Sequence, residues 1–161
     1  MRGNLTGYLI TIAAFLLALA ATGCREVNGT VYSQYAKIGS EGWDPRNAVG
    51  FDPWPADSVN ARGPLDVVIS VRYSGRRAIK PLRMAVTVDD ENGEVKSDTL
   101  VIPLFDRFGE PTGRGHYGVY EVTDTLLRRF RLRDGFGVEL KPLDPAADTR
   151  GLVNVGVILT K

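Results

Sequence analysis

Hydrophobic positions alternate with polar ones along most of the chain, and the alternation starts clearly at Pro64. In "LDVVISVRY" the residues Leu65, Val67, Ile69, Val71 and Tyr73 share one face, while Asp66, Ser70 and Arg72 fall on the other. A period of two is that of a half-buried strand. "LRMAVTV" repeats it, with Leu82, Met84, Val86 and Val88 inward. "DDENGE" interrupts the pattern, and Asn92-Gly93 predicts a primed hairpin turn. The chain returns as "VKSDTLVIPL", followed by a Gly- and Pro-rich loop from Asp106 to Gly115.

"HYGVYEV" reads as a short β-prone piece. "DTLLRRFRLR" is ambiguous. Leu126, Leu127 and Phe130 have helical spacing, whereas Phe130 and Leu132 alternate with Arg129, Arg131 and Arg133 as in a strand. The stretch predicts a short turn running into a strand. "GFGVELKP" aligns Phe136, Val138 and Leu140, and "GLVNVGVILT" aligns Val153, Val155, Val157 and Leu159.

Ahead of these, "VNGTVYSQYA" (27–36) is either a tether or an edge strand. Residues 39–55, rich in Gly, Pro and Trp, predict an irregular covering segment with one extended piece at Val49–Phe51. Seven to eight strands with frequent turns and almost no helix predict an all-β fold. The expected form is an antiparallel β-sandwich, Ig-like or jelly-roll-like.

The first residues follow another pattern. Arg2 precedes an apolar run from Tyr8 to Ala21 broken only by Thr11. Fourteen residues are too few to span a bilayer, which takes about 20, but suit the core of a signal peptide. Ala20-Ala21-Thr22-Gly23 and then Cys24 resemble the lipobox of bacterial lipoproteins. Small side chains let an extended backbone enter a peptidase cleft. The Cys24 thiol then receives diacylglycerol, and its freed amine an acyl chain. One acyl chain holds a protein only marginally, and two or three make the anchor lasting. Arg25 in place of Asp is compatible with delivery to the outer membrane.

This organises the chain as a signal peptide (1–23), a tether and covering segment (24–48) and a β-sandwich domain (49–161). Removing residues 1–23 leaves one domain's worth of chain. Cys24 is the only cysteine, so neither a disulfide framework nor a zinc–thiolate site is expected. Of 20 basic and 19 acidic side chains, one basic residue, Arg2, lies in the signal. The remainder is near neutral and gives no field that calls for nucleic acid.

Candidate chemistry is sparse. His116 is the only histidine, and a structural or surface role outweighs that of a general base. No G-x-S-x-G elbow appears. Asp106 and Glu110 share a loop as ordinary solvated acids do, and "DDENGE" lacks the spacing of a calcium loop. No catalytic residue, metal site or cofactor is expected beyond the covalent lipid on Cys24. Arg76, Arg77 and Lys80, and likewise Arg129, Arg131 and Arg133 on one strand face, could dock an anionic surface. A charged, aggregation-resistant face is the favoured reading. Trp43 and Trp54 could meet a partner or stack on sugar rings, while a lid over the core is the commoner fate of large aromatics.

The order of a lipobox cysteine, "VYSQYAKI", a Trp segment reaching Phe51, "VVISVRYSG", "GRGHYGVYEV", "GFGVELKPL" and "GLVNVGVIL" resembles the gliding-motility lipoprotein family GldH of the Bacteroidota. The resemblance implies a non-enzymatic accessory lipoprotein of the outer membrane. Its implied partners are envelope proteins of a gliding or type IX secretion-related assembly. A carbohydrate-binding surface lipoprotein is the alternative reading, and exposed tryptophans in one plane would favour it.

Overall fold

The computed structural model describes residues 29–52, 63–75 and 80–161. Two antiparallel sheets form a sandwich. The strands are β1 (Thr30–Lys37), β2 (Val49–Phe51), β3 (Pro64–Ser74), β4 (Leu82–Asp90), β5 (Gly93–Ile102), β6 (Arg114–His116), β7 (Val119–Arg131), β8 (Gly137–Pro142) and β9 (Leu152–Thr160). One sheet has the order β1-β9-β3-β7-β6, the other β2-β8-β4-β5. Among the described strands, only the consecutive pairs β4–β5 and β6–β7 are neighbours within one sheet. Every other pair of consecutive strands is divided between the two sheets.

The alternating strands pack as expected. Leu65, Val67, Ile69, Val71 and Tyr73 of β3 face Met84, Val86 and Val88 of β4 and Val138 and Leu140 of β8, all buried. Fully burying such a side chain contributes roughly 1.5–3 kcal/mol, so these rows dominate the stabilisation.

Several expectations are corrected. β1 pairs with β9 from Thr30 to Lys37, so the 27–36 stretch supplies an edge strand, and the sandwich begins there rather than at residue 49. The β4–β5 turn lies at the expected place but is not primed. Asp90 pairs with Gly93, and of the turn residues only Gly93 has positive φ, at 105°. The primed turn occurs inside "HYGVYEV" instead. Tyr117 (φ 55°) and Gly118 (φ 79°) link His116 to its partner Val119, so that stretch is a hairpin, not one strand. This raises the strand count to nine among the described residues.

Residues 124–131 carry β7 on without a turn, and Leu132 and Arg133 lie beyond it. Against Leu65 and Val67 of β3, β7 advances from Phe130 to Leu127, and against Val67 and Val68 from Leu127 to Thr125. Each step contains one extra residue on β7, which makes two bulges. The bulges bring Leu126, Leu127 and Phe130 all against the core, so spacing that reads as helical belongs to a doubly bulged strand. A register shift in β9 opposite Arg72 and Tyr73 acts likewise. Leu152 is buried where Val153 was expected, and Val153 is only partly covered.

The edge strand β5, and β7 beyond the short stretch paired with β6, carry charges on the side that faces the core. Lys96 and Asp98 stand opposite the buried Val88 and Val86, and Asp124 stands opposite the buried Ile69. Lys96 Nζ pairs with Asp98 at 3.1 Å and donates to the Leu126 carbonyl at 3.1 Å. Inward charge of this kind keeps a sheet edge from pairing with another chain.

Candidate functional site

The outer face of the five-stranded sheet carries a compact polar cluster. Tyr35 on β1, Ser70 and Arg72 on β3, and Glu121 on β7 converge there. The Tyr35 hydroxyl donates to Glu121 Oε1 at 2.7 Å, the Ser70 hydroxyl to the same oxygen at 2.5 Å, and Arg72 Nε at 3.3 Å. The Arg72 guanidinium lies 4.0 Å from the centre of the Tyr35 ring, within cation–π range.

One glycine makes the arrangement fit. Gly156 of β9 is the register partner of both Tyr35 and Ser70. A Cβ there would come within 2.6 Å of both the Gln34 carbonyl oxygen and Tyr35 Cδ1. The bare backbone lets the Tyr35 ring lie across β9 and reach β7. Ser70 is fully buried as a result.

The electrostatics agree with the contacts. Burial pushes the Glu121 carboxyl up, but the bonds from Ser70 and Tyr35 and the Arg72 charge outweigh it and hold it below its ordinary value. Burial is also the main cause that raises the Tyr35 phenol, and the bond to Glu121 adds to it. Glu121 is thus an ionised acceptor held in one geometry.

Glu121 also lines a shallow groove of about 580 Å³ with Thr112, Gly113, Arg114, Val122 and Thr123. The groove opens where the chain enters β6, and the Gly113 N–H is held by the Tyr73 hydroxyl at 2.9 Å. It offers a carboxylate, a guanidinium and two threonines. These groups suit polar recognition of an extended segment or a hydroxylated ligand.

The residues expected from the sequence fare differently. Trp43 is 3% exposed and acts as a lid. Its N–H bonds Thr149 Oγ1 at 2.7 Å and its Nε1–H bonds the Asn47 carbonyl at 2.8 Å. It offers no surface to a partner or a sugar. Arg129, Arg131 and Arg133 do not share one strand face. Arg129 sits in a bulge with φ 52°, Arg131 ends β7, and Arg133 lies beyond it, 3.5 Å from Asp90. Cys24, Trp54, Arg76 and Arg77 lie outside the described residues. Lys80 pairs with Asp148 at 2.9 Å.

Asp106 Oδ1 accepts the N–H groups of Phe108 and Glu110, which makes it a loop-forming acid. Asp90 does the same for Asn92. His116 is exposed in β6. Sequence reasoning missed the Tyr35–Ser70–Arg72–Glu121 cluster. Its one local trace was the polar Ser70 and Arg72 on the face of β3 opposite the core.

A family model described as GldH lipoprotein matches residues 30–156. The chain belongs to the GldH lipoprotein family. The match takes in β1, which supplies Tyr35, and runs through Gly156, so every member of the cluster lies inside the family's common region. Membership makes this a gliding-motility-related lipoprotein, of a family whose name denotes a membrane-anchored protein. No curated protein matches the chain. Among solved structures, dimeric latent PorU from Porphyromonas gingivalis matches at 11% identity and a TM-score of 0.33. The match covers 87% of this chain and 14% of that one, so the chain spans about one seventh of that protein.

Proposed function

We propose that this GldH-family chain is an outer-membrane lipoprotein, acylated on Cys24, that works as a non-enzymatic scaffold. Its partners would be envelope proteins of a gliding-motility or type IX secretion-related assembly. The observation that carries the reading is the Tyr35–Ser70–Arg72–Glu121 cluster beside the groove at Arg114. Part-buried bonds fix these side chains in advance, so a partner would pay little ordering cost on docking. The groups are those of a recognition surface, with hydrogen-bond donors and acceptors on a rigid sheet. Burial of Trp43 counts against the carbohydrate reading, which wanted that ring in solvent.

The test is recovery of the tagged, lipidated protein from gently crosslinked native envelopes, with Cys24→Ala as control. Secretion or motility components should come down with the native chain and be lost with the control. A Glu121→Ala and Arg114→Ala double variant should stay at the membrane and lose them. Recovery of glycan without protein partners would overturn the scaffold reading.

A further inference from the structure

The two bulges of β7 turn Arg128 and Arg129 outward at one end of the sandwich, and the fold sets that end beside the start of the described chain. Thr30 pairs with Thr160, Thr160 with Asp66, and β3 at Asp66 lies against the Arg128–Arg129 bulge of β7. Three strand spacings of about 4.8 Å each separate Gly29's strand from β7, roughly 14 Å in all. Lys161 lies closer still, its N–H bonded to the Gly29 carbonyl at 2.9 Å.

Cys24 precedes Gly29 by five residues, a span of at most about 18 Å when fully extended. The reading of Cys24 as the lipid acceptor, on which this inference rests, therefore puts this rim within reach of the membrane surface. We infer that Arg128, Arg129, Arg131 and Lys161 form a footing that binds the phosphates of anionic lipid headgroups and fixes the domain's tilt on its membrane.

Three observations support this. First, the arginines are poorly satisfied within the protein. Arg128 is three-quarters exposed and only 4.0 Å from Asp66, and among the described residues neither Arg129 nor Arg131 has an ionic partner. Second, the bulge is built at a cost. Arg129 is a non-glycine residue at φ 52°, held there by its N–H to Asp66 Oδ1 at 2.7 Å. Strain of this kind persists where the surroundings impose it and gathers at functional positions. A plain alternating strand would have turned one of the two adjacent arginines inward, whereas the bulge exposes both.

Third, the charge is one-sided. At the same end of the other sheet, the β4–β5 hairpin carries Asp89, Asp90, Glu91 and Glu94. Arg133 is drawn to Asp90 on that side, and the Asp134 carbonyl accepts the Glu91 N–H. An anionic surface attracts the basic rim and repels the acidic hairpin, so one tilt is favoured. Basic side chains close to such a surface each add to the attraction, and the effect fades within a Debye length.

The experiment uses the full lipidated chain in vesicles of phosphatidylcholine alone or with phosphatidylglycerol. Phenylglyoxal modification of arginines is followed by mass spectrometry. Arg46, exposed at the opposite end with Trp43, is the internal reference. Arg128, Arg129 and Arg131 should react about tenfold more slowly than the reference on the anionic vesicles. They should react freely on the neutral ones, and 0.5 M salt, by shortening the Debye length to about 4 Å, should restore the rate. Equal reactivity on both vesicles, with the protein still bound to them, would overturn the footing and leave the anchor intact. Protection found only in native envelopes would overturn it in favour of an acidic protein partner. Failure of the chain to float with either vesicle would overturn the anchor reading and the footing with it.

Discussion

The Tyr35 hydroxyl reaches Glu121 Oε1 at 2.7 Å across the two strands that lie between β1 and β7. Residues 86 apart in the chain thereby tie the edge strand β1 to the far side of the sheet. The bond also closes a roof over Ser70. The consequence is a pH-dependent stability term. The Glu121 carboxyl lies below its ordinary value of 4.5 in the folded chain, so folding favours the ionised form. Its contribution is fully present above the unfolded value and is lost as pH falls through the folded value. Glu121→Gln should lower the urea midpoint at pH 7. The gap between native and variant chains should close in the acid range below about 4.5. With about a third of the carboxylate side chain exposed, the neutral-pH loss should be modest, about 1 kcal/mol. A gap that does not change with pH would show that Glu121 acts through packing alone.

Gly156 is the position least tolerant of a side chain in this cluster. Gly156→Ala places a methyl 2.6 Å from the Gln34 carbonyl oxygen and from the Tyr35 ring. The backbone has little room to give, so overpacking should cost about 1–3 kcal/mol. Tyr35 must swing away, and amides of β1 should exchange faster than those of β4 and β8. Unchanged exchange in β1 would mean that the ring does not depend on the bare backbone beneath it.

Asp66 and Arg129 should couple in a double-mutant cycle. Asp66→Ala removes the acceptor of the Arg129 N–H and should destabilise by about 1 kcal/mol. Arg129→Gly removes the steric cost of φ 52° and should be neutral or stabilising by up to about 1 kcal/mol. In the double variant the Asp66→Ala penalty should shrink, because a glycine holds the bulge without help. Chemical denaturation of the four chains measures this, and simple additivity would refute the coupling.

Lys96 guards the open side of the sandwich. Replacing both Lys96 and Asp98 with Val puts apolar side chains opposite Val88 and Val86 on the free edge. The chain should keep or gain thermal stability, yet associate with itself at concentrations where the native protein stays monodisperse. Light scattering across a dilution series checks this. No added association would mean that the edge is protected by something other than its inward charge.

Period-two alternation fixed β3, β4 and β8 in advance, because a strand buried on one face needs little beyond its own residue order. The alternate residues from Leu65 to Tyr73 and from Leu82 to Val88 point inward in the structure, as the period of two predicts. Alternation failed where the ladder is irregular. The spacing of Leu126, Leu127 and Phe130 belongs to two bulges that exist only because β3 lies opposite, and the partner's register moves Leu152 inward in place of Val153. The hairpin at Tyr117 was hidden because a bulky residue at positive φ is costly in isolation and holds there only within a formed ladder.

The site was less legible still. Nothing local marks Tyr35, Ser70, Arg72 and Glu121 as partners, since three separate strands bring them together over a glycine on a fourth. What the sequence determined by itself is the layered all-β fold, the strands that make its core and the family signature. Tertiary structure alone decided the polar cluster, the burial of Trp43 and the placing of the arginine rim beside Gly29. Each of these depends on which strands become neighbours, and that is set by long-range pairing.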